Sequence, residues 1–477
     1  MRWNILFIAL IGLQVAGCMR GEKQENRPPS TSIFLESINR TGENRLNSNV
    51  RLSWFGTDKD GFVVGYEISF DNENWFFTAR TDSVFRFSIE AGSDTTDQDF
   101  WIRAIDNEDA RDPDPAYLRI PLRNTPPVAS IDKSTAPEDT ALIAATFRWN
   151  ATDLDGNETI EQVLMKFNDG NWFSIPSNNI LTFVLEENQT SGIGEALIYA
   201  GAESSARAQK ADGVRYNDEN VVYIKAIDIA GAESPVDTSA AFYFKQQTSQ
   251  NLIICGQPAI VRDAINPYAF SGFLGSYDFL DYAVQNGKFQ PKFWGPTMNR
   301  VFERYNILFA YTDISLYDNQ VTGQRSTILA FLSPMIANFN SNNGKSFVTT
   351  ILSPATDIQT LGIGFPIEGV VTSAGQARLT NDSSMVPVDT VSYPRLSPDG
   401  TLAGIVPMIR SIDSEVFYRA QLTKLNNWQG DNLIASLRRR NGNVQQVFFA
   451  TSLHRFAGNP TELQRLFDQI LQDDFDW

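Results

Sequence analysis

The stretch WFGTDKDGF at residues 54–62 recurs as WNATDLDGN at residues 149–157. Two further pairs follow in the same order: YEISFDNENW at 66–75 with VLMKFNDGNW at 163–172, and FWIRAIDNED at 100–109 with VYIKAIDIAG at 222–231. The chain therefore contains a tandem duplication. The offset between the copies grows from 95 to 122 residues, which predicts an insertion of about 25 residues in the second copy. We place it in the Gly-, Ala- and Ser-rich stretch 188–214, which we expect to be a loop because loops tolerate changes of length.

Apolar and polar residues alternate in both copies, as at Tyr66, Ile68 and Phe70. Short alternating runs separated by turn residues predict strands, and about 100 residues of such strands is typical of a β-sandwich. Trp54 and Trp149 begin the core strands of the two copies, so we expect both side chains to be buried.

The recurring order of Trp, Thr-Asp-x-Asp-Gly, a strand and Ala-x-Asp resembles fibronectin type III or immunoglobulin-like modules of Bacteroidota surface proteins. The resemblance implies two all-β sandwiches, at residues 31–124 and 125–248. It does not specify a ligand.

The paired carboxylates of the repeat, Asp58 with Asp60 and Asp153 with Asp155, allow two interpretations. Each pair precedes a glycine and can form a tight turn. Carboxylates one residue apart can also share calcium, although the glycine stands at the fourth position and an EF-hand loop has it at the sixth. Calcium would need further oxygens, for which the aspartate that ends each Ala-Ile-Asp strand is the candidate. Calcium is the only cofactor that the sequence suggests.

Trp75 and Trp172 lie beside polar turns and are candidates for stacking on sugars. The alternative is that they pack against the sandwich, as most strand aromatics do.

From residue 249 the pattern changes to continuous apolar runs at 251–260, 305–313, 345–353 and 444–453, each typical of a strand buried on both faces. The stretches 270–284 and 325–339 are predicted to be helices, the second interrupted at Pro334. A last helix is predicted after Asn459. Residues 249–477 are thus expected to form a three-layer α/β domain with a mainly parallel sheet. The order of these elements resembles a flavodoxin-type, glutamine amidotransferase-like domain, but the cysteine elbow of its active members is missing. Cys255 is instead expected to be a buried core residue.

His454 is the only histidine, so any Ser-His mechanism must use it. It follows a predicted strand, where doubly wound sheets bind ligands. Ser353 and Asp313 end two other strands and complete the candidate triad, but Pro354 does not suit a nucleophile elbow.

The N-terminus has a basic start, a short apolar run and VAGC at residues 15–18. These features predict a signal peptide at 1–17. VAGC resembles the lipobox of bacterial lipoproteins, which implies acyl chains such as palmitate on Cys18, and residues 18–30 are expected to be a tether. The resemblance favours the outer membrane, with the domains on its periplasmic or surface face.

Charge is concentrated in the first half, where residues 19–250 carry 21 Lys and Arg against 37 Asp and Glu. This excess disfavours nucleic acid as a partner. The first hypothesis is a lipid-anchored, non-catalytic envelope protein whose sandwiches display the α/β domain to an unknown protein or glycan. The alternatives are an envelope hydrolase with His454 as base, and a glycan-capture lipoprotein of a nutrient-uptake system.

Overall fold

The computed structural model describes residues 25–35, 40–41, 45–176, 179–201, 203–283, 291–319, 321–371, 377–423 and 432–476. The signal peptide, Cys18 and the first part of the tether lie outside these residues. None of the helices described combines the length and the apolar character that a membrane crossing needs. The chain divides into two compact units: unit 1 comprises residues 1–127, 152–161 and 227–233, and unit 2 comprises residues 128–151, 162–226 and 234–477.

The first copy of the repeat is a β-sandwich with its own core. Its strands are β1 Ser30–Leu35, β2 Arg40–Thr41, β3 Arg45–Leu46, β4 Asn49–Thr57, β5 Val63–Ser69, β6 Phe76–Thr78, β7 Asp82–Arg86, β8 Thr95–Asp106 and β9 Ala116–Arg123. One sheet has the order β1-β4-β7 and the other β2-β3-β9-β8-β5-β6. Trp54 is 3% exposed and lies among the buried residues of both sheets, as predicted.

The second copy is a larger sandwich. Its strands are β10 Val128–Ile131, β11 Thr140–Leu142, β12 Ala144–Thr152, β13 Ile160–Phe167, β14 Phe173–Ile175, β15 Asn179–Leu185, β16 Gly192–Ala200, β17 Lys210–Tyr216, β18 Asp218–Asn220, β19 Val222–Asp228, β20 Asp237–Thr238 and β21 Phe242–Lys245. Its sheets have the orders β10-β12-β15-β16-β17, β14-β13-β19-β20 and β11-β21-β18. Trp149 is 2% exposed, which confirms the second tryptophan prediction.

The prediction that the insertion forms a loop is wrong. Residues 192–200 and 210–216 form the antiparallel strands β16 and β17, which extend the sheet beyond β15. In β16, Ala196, Ile198 and Ala200 are buried and alternate with Leu197 and Tyr199. This alternation favours a strand although the residues are small, because it lets each face of the strand pack against a different neighbour.

The third region combines a sheet with helices. Its strands are β22 Asn251–Gly256, β23 Asp278–Asp281, β24 Ile307–Thr312, β25 Leu316–Asp318, β26 Arg325–Thr327, β27 Lys345–Thr349, β28 Gly369–Val370, β29 Arg378–Leu379, β30 Met385–Pro387, β31 Leu402–Ala403, β32 Met408–Ile409, β33 Glu415–Ala420, β34 Leu433–Arg440 and β35 Asn443–Phe449. Its helices are α1 Ala259–Gly272, α2 Trp294–Phe302, α3 Ile328–Ser341, α4 Ile358–Gly364 and α5 Pro460–Asp468.

Eight of these strands form one mixed sheet of order β23-β22-β24-β27-β35-β34-β33-β30. Neighbours from β23 to β35 are parallel, and those from β35 to β30 are antiparallel. Alternate residues of β22 enter two different apolar clusters: Leu252 and Ile254 pack with α2, α3 and α4, and Ile253 and Cys255 pack with α1 and α5. Helices therefore cover both faces of the sheet.

Two helix predictions need correction. The helix expected at 270–284 is instead the end of α1 followed by strand β23, and α1 begins at Ala259. Pro267 lies inside this helix, and a proline in the sequence normally indicates a helix boundary. The predicted break at Pro334 is also wrong, because α3 runs through it.

The second sandwich and the α/β region share one hydrophobic core inside unit 2. Leu142, Ile143, Ala144 and Val184 of the sandwich belong to the same buried cluster as Met298 of α2. The inserted strand β16 contributes Leu197 and Tyr199 to this contact, and Arg300 of α2 lies 4.5 Å from the centroid of the Tyr199 ring. The insertion thus forms part of the surface that holds the α/β region.

Candidate functional site

The two Asp-x-Asp-Gly turns share one hydrogen-bond pattern. The carboxylate of the first aspartate accepts from the backbone N–H of the second: Asp58 from Asp60 at 3.4 Å, and Asp153 from Asp155 at 2.8 Å. An aspartate that bonds to the backbone two residues ahead stabilises a turn. The turn interpretation is therefore the one that this geometry favours.

The second aspartate of each turn accepts a further hydrogen bond from the segment that leads into its own module. We call this the Asn-x-Pro-Pro segment, residues 26–29 in the first copy and 124–127 in the second. The Arg27 N–H donates to Asp60 Oδ2 at 3.0 Å, and the Thr125 N–H donates to Asp155 Oδ2 at 2.6 Å.

The asparagine of the segment binds the aspartate that ends the Ala-Ile-Asp strand. Asn26 Nδ2 donates to Asp106 at 2.7 Å, and Asn124 Nδ2 donates to Asp228 at 2.6 Å. Both aspartates are fully buried. Burial alone would raise the pKa of Asp106, but the bonds from Asn26 and two backbone N–H groups hold that pKa below its usual value. In each copy the two aspartates thus hold the Asn-x-Pro-Pro segment, and all of these residues lie in unit 1. Sequence reasoning missed this role, although Asn-x-Pro-Pro recurs visibly in both copies.

The second turn is more deeply buried than the first. Asp153 and Asp155 are 9% and 3% exposed, whereas Asp58 is half-buried and Asp60 is exposed. Asp155 also accepts from the N–H of Ser48 at 3.3 Å, within unit 1. Burial raises the pKa of Asp153, and the nearby charges of Asp155 and Asp228 raise it further.

Among the described residues there is no group of three or more His, Cys, Asp or Glu side chains arranged to hold a metal ion. Calcium at Asp58, Asp60, Asp153 and Asp155 remains a prediction. The geometry shows these four carboxylates acting as acceptors for backbone N–H donors.

Trp75 and Trp172 occupy equivalent half-buried places on the two sandwiches. The Arg103 guanidinium lies 4.0 Å from the centroid of the Trp75 ring, and Lys166 and Lys225 each lie 5.2 Å from that of Trp172. Cations over a tryptophan ring occupy the area on which a sugar would stack. The arrangement favours a structural role for both rings.

The candidate triad is not joined by hydrogen bonds in the described structure. Ser353 bonds to Thr356 and to the Ala355 N–H, and Asp313 accepts from the Ser315 N–H. His454 Nδ1 lies instead 2.8 Å from the hydroxyl of Ser452.

Within the described part of the chain, the Ser452–His454 pair is the contact that a hydrolase would use. Burial lowers the pKa of His454, and the charge of Arg455 lowers it further, so the imidazole is neutral and able to accept a proton at pH 7. However, Ser452 is only 9% exposed, and Asp399, the acid whose charge acts on His454, is engaged by Arg455 at 3.2 Å. A hydrolase needs an accessible nucleophile and an oriented base.

The polar groups at the carboxyl edge of the parallel strands bond largely to one another. Gln257 donates to the Thr312 carbonyl, Thr312 to Thr350, and Thr349 to the Thr451 carbonyl. Cys255 is fully buried, as predicted, and burial raises the pKa of its thiol to about 11. A thiol held in its protonated form is a poor nucleophile.

A cavity of about 330 Å³ lies within unit 2, between the second sandwich and the α/β region. One wall comes from β11 and β12, and the other from β23, residues 291–293 and α2. Most of its lining is apolar, and sequence reasoning gave no signal of it because its walls come from strands and helices far apart in the chain.

No family model matches the chain, and no curated protein matches it. Among solved structures, the fibronectin(III)-like modules of Clostridium thermocellum CbhA are 15% identical, cover 45% of this chain and 95% of their own, and give a TM-score of 0.17. A two-domain fibronectin type III segment of chicken tenascin is 10% identical, covers 46% and 99%, and gives 0.21. The PKD1 domain of Vibrio anguillarum Epp is 14% identical, covers 21% and 98%, and gives 0.16. With scores this low, the description of tandem β-sandwiches rests on their own strand pairing.

Proposed function

We propose that this chain is a lipid-anchored envelope protein in which two sandwiches carry a non-catalytic, amidotransferase-like α/β domain and present it to a protein or glycan partner. One observation carries the proposal. The second sandwich and the α/β region share a single apolar core, so this sandwich is a rigid mount for that region.

The carboxyl edge supports the non-catalytic part of this proposal. Its hydroxyl and amide groups are largely bonded to one another. Groups that already have partners are not free to activate a nucleophile or to stabilise a developing charge.

Anchoring rests on Cys18 and is tested directly. In cells fed an alkyne analogue of palmitate, the natural chain should carry the label and sediment with outer membranes, and Cys18→Ala should lose both properties. Cys255→Ala is the control, because that thiol is buried and should not affect labelling. A labelled Cys18→Ala protein would refute the anchor. Protease treatment of intact cells then reports which face of the membrane bears the domains.

The Ser452–His454 contact favours one second candidate, a hydrolase in which His454 is the base. Any esterase or peptidase activity of the purified chain should then disappear in both Ser452→Ala and His454→Ala. A folded Ser353→Ala variant serves as control, because its hydroxyl bonds elsewhere. Activity that survives His454→Ala excludes this candidate.

A further inference from the structure

The cavity inside unit 2 has an apolar interior. Its deeper wall includes Leu142, Ala144, Tyr282, Met298 and Val301, none of them more than 7% exposed. The hydroxyl of Thr146 also reaches this wall, but it already bonds to Thr182 and Thr297 at 2.9 and 2.7 Å. The interior therefore suits a hydrocarbon chain or an apolar ring.

Four charged side chains line the rest of the cavity: Glu138, Lys245, Asp281 and Lys292. Asp281 is committed, because it accepts from Arg262 at 2.8 Å and from the Ala283 N–H at 3.1 Å. Lys292 pairs at 3.3 Å with Glu138, whose side chain is 51% exposed. An ion pair with such an exposed partner is weak and exchangeable.

Lys245 has the most capacity for a new partner. Its ammonium lies 3.8 Å from Asp278. The carboxylate of Asp278 already accepts from the N–H and hydroxyl of Thr248, the Ser249 N–H and the Tyr305 hydroxyl. At 3.8 Å the Lys245 ammonium makes no hydrogen bond to Asp278, so among the described residues its N–H donors remain available to a carboxylate in the cavity.

From this combination we infer that the cavity binds a small amphipathic carboxylate, a medium-chain acyl or arylalkyl acid, with its apolar body against α2 and its carboxylate on Lys245 and Lys292. A volume of about 330 Å³ lies within the range of about 300–1,000 Å³ that small-molecule pockets span. The site does not depend on the lipid anchor or on the display function. It would give the joint between the second sandwich and the α/β region a ligand-dependent stability.

The test uses decanoate and its uncharged counterpart decanol. The full chain carrying Cys18→Ala, prepared without detergent, is titrated by calorimetry and followed by its melting temperature. Decanoate should bind and raise the melting temperature. Octanoate should bind about 15-fold more weakly, because each buried methylene contributes about fourfold.

Variants separate the head group from the chain. Lys245→Ala should weaken decanoate about tenfold and leave decanol unchanged, and Lys292→Ala should do the same to a smaller degree. Lys210→Ala is the matched control, because that lysine has the same 38% side-chain exposure and lies outside the cavity.

Ala144→Leu and Val301→Phe fill the cavity from two different elements and should each abolish binding of both probes. If one of them fails to fold, the other and the lysine variants still test whether decanoate binds in the cavity. Decanoate that does not bind, or that binds equally to the cavity-filling variants or to Lys245→Ala, overturns the inference. None of these outcomes bears on Cys18 labelling, so the anchored-display proposal stands or falls separately.

Discussion

The two copies of the repeat have the same turn, the same buried tryptophan and the same Asn-x-Pro-Pro contacts, but they use one equivalent sheet face differently. In the first copy that face, on β1, β4 and β7, is exposed: Phe34 and Phe55 stack with ring centroids 5.6 Å apart and are 51% and 48% exposed. In the second copy the face on β12 and β15 is buried against the α/β region through Ala144 and Val184. The comparison teaches that the same sandwich can leave this face exposed or bury it against another region, depending on which side chains the face presents.

The largest effect should come from charging the buried face. Val184→Asp places a carboxylate in the shared core and should cost about 4 kcal/mol or more, because a buried unpaired charge has no compensating partner. On the exposed face of the first copy, Phe55→Asp should cost only about 1 kcal/mol, chiefly the stacking with Phe34 that it loses. Denaturant unfolding measures both. Equal effects from the two variants would contradict the contrast between the copies.

Removing the asparagine of each Asn-x-Pro-Pro segment should have a smaller effect on the free energy of unfolding, and the two segments should differ. Asn124→Ala leaves the fully buried Asp228 without its side-chain donor and should cost about 2–3 kcal/mol. Asn26→Ala removes the corresponding donor of Asp106, but Asn26 is half-exposed, so water can replace it at a cost of about 1 kcal/mol. Thermal unfolding of both variants tests this order, and a larger loss for Asn26→Ala would reverse it.

The pH dependence of stability should distinguish the two turns. Because the pKa of Asp153 is raised in the folded protein, protonation of Asp153 stabilises the fold at low pH, and this stabilisation is lost as the pH rises through the folded-state pKa. Asp153→Asn keeps an acceptor for the Asp155 N–H and removes the buried charge. It should therefore stabilise the chain by about 1 kcal/mol at pH 7, and this gain should shrink as the pH falls through the raised folded-state pKa of Asp153.

Melting temperatures between pH 3 and 7 measure this difference. Asp58→Asn is the control in the first copy, where the turn is less buried, and its effect should be smaller. An Asp153→Asn variant that is destabilised at pH 7 would show that the charge is needed, as a bound cation would require.

The smallest effect concerns the covered tryptophans. Arg103→Met keeps an aliphatic chain over Trp75 but removes the charge, and should cost about 0.5–1 kcal/mol through the lost cation–π contact and the 2.7 Å pair with Glu67. Lys225→Met should cost less, because Lys166 still lies over Trp172. Unfolding followed by tryptophan fluorescence measures both. Tighter binding of an oligosaccharide by either variant would revive the glycan interpretation.

Local patterns in the sequence predicted part of this fold well. The period-two alternation around Trp54 and Trp149 gave the sandwich strands and their cores, and the apolar runs gave β22, β24, β27 and β35. Predictions based on residue composition were less successful. The insertion became strands despite its small residues, and Pro267 and Pro334 lie inside helices. Contacts with the rest of the fold outweigh such local preferences.

The sequence by itself determined the duplication, the strand pattern and the buried tryptophans, because these depend on periodicities that span only a few residues. Only the tertiary structure decided what the aspartates bind, which face holds the α/β region and where a cavity remains. Asn26 and Asp106 are 80 residues apart, and Asn124 and Asp228 are 104 apart. A hydrogen bond or a cavity wall depends on which distant groups the fold brings within a few ångströms, and no local pattern records that.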